Sequence, residues 1–214
     1  MEIMDDSINY EFYHWGPLLT KFQLTEEELN NVRKLSSTAH EDHSSFLAGR
    51  VKHQLRIEDM NCASIWYDVL QKYVEAYIEV AYNHWYKDIN QALPKRDSIG
   101  LGSPLWINHM YAGDYNPIHQ HSGQLSFVLW TEIPDGIYDD LEKNGNAPPP
   151  GSIEFRMGTT DGSSSLKPIM HQIICPQPGE LVIFPTFLSH TVYAFNVDGV
   201  RKSISGNILY DETI

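Results

Sequence analysis

Three histidines are the residues of this chain best suited to metal chemistry. His119 and His121 lie two residues apart, just before the apolar run 125–130. Two residues apart on an extended segment, both imidazoles point to the same face. Such a pair can give one metal ion two ligands, and His190, which follows an apolar run and a proline-containing turn, is a candidate third. Imidazole suits iron, zinc, copper and nickel, so the spacing alone does not choose the metal.

A second pair of residues, Arg201 and Ser203, follows His190 after eleven residues. On a strand the pair shares one face, where the guanidinium can hold a carboxylate through two hydrogen bonds and the hydroxyl adds a third. A flat hairpin would place Arg201 roughly 20 Å from His190, at about 3.3 Å per residue, which is too far for one small ligand. We therefore predict that the two strands diverge into facing sheets, as consecutive strands of a jelly roll do.

These motifs carry a resemblance to a known family. From about Trp106 to Asn207 the chain resembles the Fe(II)- and 2-oxoglutarate-dependent oxygenase superfamily, in particular the branch from bacteria and their phages that has a His-x-His metal motif. The superfamily pattern is His-x-Asp/Glu, then a distal His, then Arg-x-Ser, and the matching residues here are His119, His190, Arg201 and Ser203. The resemblance implies Fe(II) and 2-oxoglutarate as cofactors, with the far carboxylate of 2-oxoglutarate on Arg201 and Ser203. It also implies an α+β protein with a double-stranded β-helix core, a jelly roll like that of the cupins.

The residue at position 121 departs from the family pattern, which usually has a carboxylate there. By resemblance to the His-x-His branch, we take His121 as the third ligand, although Glu154 on the strand-like segment 152–157 is an alternative and a loss of iron chemistry is another. A neutral imidazole leaves the site one charge more positive, so it should hold an anionic co-substrate strongly and Fe(II) less well. Tyr111 is a further candidate for co-substrate contact, in a run similar to the Tyr-x-x-Gly of prolyl-hydroxylase-like members but one residue shorter.

The function that the resemblance implies is that of a non-haem iron, 2-oxoglutarate-dependent dioxygenase, most simply a hydroxylase, whose substrate the sequence does not identify. Two alternatives stay open. A cupin-like metal dioxygenase or isomerase would use the histidines without 2-oxoglutarate, because 113–121 and 179–190 also resemble the cupin motifs, and would leave Arg201 and Ser203 idle. A non-catalytic jelly-roll binding or viral structural module would retain the histidines without turnover.

The elements that must position these residues are expected in one domain, 1–214. Its part from about 1 to 100 is predicted to be mainly helical, and the part from about 101 to 214 is predicted to form the jelly-roll core. A capping-box signature at Thr25 predicts one short helix. A longer helix from Ala63 to about Tyr86 carries an apolar stripe that we expect to pack under the sheet: Trp66, Leu70, Tyr73, Tyr77, Val80 and Ala81. His40 to His43 predicts a solvated turn.

Composition restricts the partners and the location. Lys and Arg total 15 against 28 for Asp and Glu, a formal net charge of -13, which disfavours nucleic acid and anionic membranes. The acidic start lacks a signal peptide and no apolar run could span a bilayer, so we expect a cytoplasmic protein, in the host cytoplasm if the source is a phage. Cys62 and Cys175 are expected to be reduced. The expected partners are 2-oxoglutarate, O2 and an unidentified substrate, with a homodimer compatible with any exposed part of the aromatic helix.

Overall fold

The chain folds mostly as antiparallel β-sheet with few helices. The computed structural model describes residues 16–44, 51, 53–83, 94–139, 147–158 and 170–211. The strands are β1 (Thr20–Gln23), β2 (Glu41–Asp42), β3 (His53–Arg56), β4 (Gly100–Leu101), β5 (Trp106–Met110), β6 (Asn116–His119), β7 (Leu125–Glu132), β8 (Ile153–Arg156), β9 (His171–Ile174), β10 (Glu180–Pro185), β11 (Ser189–Val192) and β12 (Arg201–Leu209). The helices are α1 (Glu26–Ser36), α2 (Asp59–Ile65) and α3 (Gln71–Ala81), with a π-helical segment Trp66–Leu70 between the last two and a 3-10 turn at Arg96–Ser98.

The strands form two sheets. The large sheet has eight strands in the order β1-β10-β7-β12-β5-β3-β2, with β4 paired to β12, and the small sheet has the order β6-β11-β8-β9. From β5 onward the chain passes repeatedly from one sheet to the other. In particular, β11 with His190 belongs to the small sheet and β12 with Arg201 to the large sheet. This confirms the prediction that these two strands diverge into separate sheets.

Two apolar cores lie on opposite faces of the large sheet. The outer core joins the three helices to side chains such as Leu129, Ile183 and Ile204. The inner core joins residues of the large sheet, such as Trp130 and Phe184, to residues of the small sheet, such as Phe155 and Val192. Because side chains alternate along a strand, β5, β7 and β10 each contribute residues to both cores. The helices therefore support one face of this sheet and leave the other to face the small sheet.

Both predicted helices are present, but the buried face of the second one rotates partway along its length. Thr25 caps α1, accepting the Glu28 backbone N–H on its side chain while the Glu28 carboxylate accepts the Thr25 N–H at 2.8 Å. The longer helix begins at Asp59 and most of its predicted stripe is buried, but Val80 is 50% exposed. The π-helical segment Trp66–Leu70 holds extra residues per turn, so the buried face after it rotates toward Ile78 and its neighbours. The predicted end at Tyr86 lies outside the described residues.

Both cysteines are free thiols, as predicted. Burial raises the pKa of the Cys62 thiol, which donates a hydrogen bond to the Ile57 carbonyl at 3.3 Å. No helix among the described residues is long and apolar enough to cross a membrane.

Candidate metal centre and co-substrate cavity

The three histidines converge at one end of the small sheet. His119 ends β6 and lies directly opposite His190 of β11, while His121 follows β6 by two residues. Candidate ligand atoms of the three rings lie within 4.8 Å of one another, and these histidines form the only such group among the described residues. The prediction that distant strands bring the three imidazoles together is therefore confirmed.

Backbone carbonyls fix the orientation and tautomer of two of the rings. The Nδ1 of His119 lies 2.7 Å from the Pro117 carbonyl oxygen, and the Nδ1 of His190 lies 3.0 Å from the Leu188 carbonyl oxygen. A carbonyl oxygen can only accept, so each Nδ1 must carry the hydrogen and each Nε2 retains its lone pair. The Nε2 atoms of His121 and His190 are 3.2 Å apart. This pattern of supported imidazoles is typical of metal ligands.

Burial keeps the three imidazoles neutral. Loss of water lowers the pKa of His190 to about 3 and that of His121 to about 4, and it also lowers the pKa of His119. The rings of Phe155 and Phe184 pack against His190 at centroid distances of 5.6 and 5.0 Å and contribute to this apolar setting. Neutral imidazole is the form that binds metals, so the cluster is ready to bind an ion at neutral pH.

A single cavity of about 470 Å³ connects the three histidines with Arg201 and Ser203. Its wall is polar on the side of the large sheet, where alternate residues of β12 face inward. His43, Gln54, Trp106 and Asn108 also line the cavity. The metal candidates and the carboxylate-binding candidates thus share one space, as the sequence motif requires.

Arg201 is fully buried in this cavity and has no charge partner among the described residues. It is 1% exposed, its Nε donates to the Gly151 carbonyl at 3.0 Å, and its Nη1 contacts the Met110 Sδ at 3.3 Å. Within the described part of the chain, its Nη2 has no hydrogen-bond partner and no carboxylate forms an ion pair with the guanidinium. Burial lowers the pKa of Arg201 to about 10, which leaves it charged at neutral pH. A buried cation with a free donor is costly unless an anion binds, so the chemistry of this end of the cavity suits an anion.

Two further donors lie beside the guanidinium. Ser203 is buried on the same face of β12, and β7 places Trp130 opposite it. The guanidinium carbon of Arg201 lies 5.7 Å from the centre of the Trp130 ring, and the Nε1 of Trp130 also lacks a partner among the described residues. Within an apolar run Trp130 resembles an ordinary core residue, so no local sequence pattern marks it as part of the site.

The other two site candidates lie away from the histidines. Glu154 forms an ion pair with Arg156 at 2.8 Å and accepts a hydrogen bond from the Tyr193 hydroxyl, and the Arg156 contact lowers its pKa. Its neighbour Phe155 is the β8 residue that packs on the His190 ring, so Glu154 points to the opposite face. Tyr111 is 43% exposed and is not among the described residues that line the cavity.

His43 lines the cavity, contrary to the prediction of a solvated turn from His40 to His43. Instead of a solvated turn, Glu41–Asp42 forms the short strand β2 at the end of the large sheet, paired with β3. His43 follows directly and lines the cavity, with its ring 6.2 Å from that of Trp106. Trp106 in turn lies 6.2 Å from His121. The amino-terminal part thus contributes to the wall of the site as well as supporting the sheet.

Comparisons with known proteins agree with this geometry. Residues 104–207 match the family model described as "Putative 2OG-Fe(II) oxygenase". A search of curated proteins found no match. Among solved structures, an oxidoreductase of the 2OG-Fe(II) oxygenase family from Burkholderia pseudomallei aligns with a TM-score of 0.55 and 10% identity over 91% of this chain and 85% of its own. A prolyl hydroxylase from Trichoplax adhaerens, in complex with a hypoxia inducible factor oxygen degradation domain peptide fragment, aligns with a TM-score of 0.51 and 10% identity over 91% and 83%. At such low identity the two structures show a shared fold.

Proposed function

We propose that this chain, whose residues 104–207 match the 2OG-Fe(II) oxygenase family model, is a hydroxylase that uses Fe(II) and 2-oxoglutarate and has the following site. His119, His121 and His190 bind the iron. Arg201 and Ser203 bind the far carboxylate of 2-oxoglutarate. The donor set fits, since three neutral imidazole nitrogens suit Fe(II).

The observation that carries this proposal is the Arg201 guanidinium, which has no ion-pair partner among the described residues and lies in the same cavity as the three histidines. A keto acid with a second carboxylate matches both ends of that cavity. Its 2-oxo acid group can chelate a metal at the histidines, and its far carboxylate can bind the guanidinium. A cupin-like enzyme without 2-oxoglutarate would leave the guanidinium buried and uncompensated. The same holds for a binding module that takes no anion.

The residues of this chain would bind and orient the cofactors, and the cofactors would supply the oxidising chemistry. When bound, Fe(II) and 2-oxoglutarate couple decarboxylation of the keto acid by O2 to oxygenation of a substrate C–H bond. The backbone bonds to His119 and His190 fix their rings, and Arg201 and Ser203 fix the co-substrate at its far end. Without a carboxylate ligand the metal site is one charge more positive, which strengthens its attraction for the anionic keto acid.

We also propose that β5 to β12 form a double-stranded β-helix within a single domain, 1–214. The pairing orders β10-β7-β12-β5 and β6-β11-β8-β9 support this arrangement, since the chain alternates between two four-strand layers. The shared apolar core of the helices and the large sheet supports a single domain, since neither part could bury its apolar face alone.

For location and partners we propose a cytoplasmic enzyme that acts without nucleic acid and can form a homodimer. Free Cys62 and Cys175 support a reducing compartment, and the net charge of -13 disfavours nucleic acid. Exposed Tyr67 and Val80 on the long helix offer a surface for a second copy.

An anaerobic titration of the protein with Fe(II) and then 2-oxoglutarate tests the proposed function. We expect a weak visible charge-transfer band in the wild type, a much weaker band in Arg201→Ala, and an unchanged band in Tyr111→Phe, a matched control outside the cavity. Bound iron without any band, or an Arg201→Ala protein with unchanged 2-oxoglutarate affinity, would contradict the proposal. An effect of Tyr111→Phe would restore Tyr111 as a co-substrate contact.

Iron binding by two variants tests the ligand set. His121→Ala is expected to weaken Fe(II) binding by at least about tenfold, while Glu154→Gln is expected to leave it unchanged. The reverse result would make Glu154 the third ligand and remove His121 from the metal. Equilibrium dialysis against Fe(II) under anaerobic conditions provides the measurement.

A further inference from the structure

We propose that Gln54 and Asn108 form a directed hydrogen-bond chain that makes the Ser203 hydroxyl a donor to the far carboxylate of the co-substrate. The inference rests on the proposed function, in which that carboxylate binds Arg201 and Ser203. It assigns a positioning role to two buried amides, one of which, Gln54 on β3, lies outside the family-matched segment 104–207.

The chain runs across three neighbouring strands of the large sheet. Gln54 of β3 pairs with Asn108 of β5, which pairs with Ser203 of β12. The Nε2 of Gln54 donates to the Oδ1 of Asn108 at 2.7 Å. The Nδ2 of Asn108 lies 3.4 Å from the Oγ of Ser203 and 3.5 Å from the carbonyl oxygen of Ser203. All three side chains are buried and all three residues line the cavity.

The direction of each hydrogen bond follows from what each group can do. The Ser203 carbonyl can only accept, so the amide nitrogen of Asn108 must lie on the Ser203 side and its oxygen on the Gln54 side. The short contact from Gln54 then requires that the Gln54 nitrogen donate. The contact with the Ser203 carbonyl therefore fixes the orientation of the Asn108 amide, and the Gln54 contact is compatible with it.

The consequence falls on the Ser203 hydroxyl. Its oxygen accepts from Asn108, and the described residues offer no acceptor for its hydrogen, so the O–H is left to donate into the cavity. A carboxylate is an acceptor only, and it therefore matches this hydroxyl as well as the free Nη2 of Arg201. If the Asn108 amide were reversed, its oxygen would capture the Ser203 hydrogen and turn a lone pair toward the anion.

Two variants disturb this direction without removing a group that touches the co-substrate. Gln54→Leu removes the donor that holds the Asn108 oxygen, so the amide becomes free to reverse. Asn108→Asp replaces the amide by a carboxylate, which still accepts from Gln54 but now also accepts from Ser203. Gln54→Leu introduces no charge, whereas Asn108→Asp enforces the reversed direction of the hydrogen bond with Ser203. The pair therefore remains informative if either variant folds poorly.

The measurement is the calorimetric Kd of the Fe(II)-loaded protein under anaerobic conditions, for two ligands. 2-Oxoglutarate has the far carboxylate, whereas 2-oxobutanoate has the same metal-chelating end without it. We expect the Kd for 2-oxoglutarate to rise several-fold in Gln54→Leu and about tenfold or more in Asn108→Asp, since hydrogen bonds to charged groups are strong. The Kd for 2-oxobutanoate is expected to stay unchanged in Gln54→Leu.

A double-mutant cycle with Ser203→Ala separates this role from general damage. In the Ser203→Ala background, Gln54→Leu should have no further effect on 2-oxoglutarate affinity, because the hydroxyl it acts through is gone. The inference is overturned if Gln54→Leu and Asn108→Asp both bind 2-oxoglutarate as the wild type does. It is also overturned if Gln54→Leu weakens both ligands equally or acts equally without Ser203. A wild type that does not bind 2-oxoglutarate at all would instead overturn the proposed function.

Discussion

The two faces of β12 are buried to a similar degree but differ in whether their side chains find matching partners. Ile204 and Ile208 point outward into the core beneath the helices, and both are fully buried. Arg201 and Ser203 point inward to the cavity and are hidden from solvent to nearly the same degree. The outer pair is surrounded by matching apolar groups, whereas the inner pair retains hydrogens that the described residues do not accept. Burial alone therefore does not distinguish core from site, but the presence of unmatched donors does.

The largest effect should come from the inner face. Arg201→Met is expected to weaken 2-oxoglutarate binding by a hundredfold or more, because breaking a buried charge pair costs about 3–5 kcal/mol. Without co-substrate, the free energy of unfolding should stay level or rise, since the variant removes an uncompensated buried charge. Calorimetry and urea unfolding would measure the two quantities. A large loss of stability in the absence of ligand would mean that Arg201 belongs to the core.

The outer face should give the opposite pattern. Ile204→Ala is expected to lower the free energy of unfolding by about 2–5 kcal/mol through the lost burial and the cavity left behind. The Kd for 2-oxoglutarate of the folded fraction should not change. Ile204→Val, which keeps most of the side chain, should cost only about 1 kcal/mol. If Ile204→Ala mainly altered ligand affinity, the separation of the two faces would be wrong.

A pH titration of the metal-free protein should produce a graded loss of stability. The folded-state pKa values of His190 and His121 are about 3 and about 4, below the ordinary histidine value of about 6.5. Between about pH 6.5 and each folded-state pKa, the unfolded chain binds protons that the folded chain does not. The free energy of unfolding therefore falls as the pH falls through that window. The slope should be at most about 1.4 kcal/mol per pH unit for each such histidine. His121→Asn should show a shallower slope in urea unfolding, and an equal slope would contradict the assignment.

The smallest effect should lie away from both faces, at the start of α1. Thr25→Ala removes the side chain that accepts the Glu28 N–H and should lower the free energy of unfolding by about 1 kcal/mol. Thr25→Ser retains the hydroxyl and is expected to stay near the wild type. Co-substrate affinity should be the same in all three proteins, and a change in it would link the amino-terminal helix to the cavity.

The sequence was sufficient where function depends on short-range spacing. The two-residue spacings of the histidine pair and of Arg201 with Ser203 define which side chains share a face, and the capping box at Thr25 defines a helix start. The need to connect His190 with Arg201 by one small ligand was enough to predict that their strands separate.

The remaining features depend on contacts between distant parts of the chain. Gln54 meets Asn108 across 54 residues and Asn108 meets Ser203 across 95, and no local pattern signals either contact. Trp130 resembles any core aromatic until its unpaired N–H is seen beside Arg201. The exposure of Val80 follows from the π-helical segment before it, because a regular helical period does not include such a change of phase.

Because the proposed site is divided between two sheets, a bound co-substrate would connect the small sheet to the large sheet. Its chelating end would be held by histidines of the small sheet and of the turn after β6, and its far end by β12 of the large sheet. A molecule attached to both layers resists their separation, so binding should slow amide hydrogen exchange in β11 and in β12 together. Loss of the bound keto acid would then weaken the connection between the two sheets.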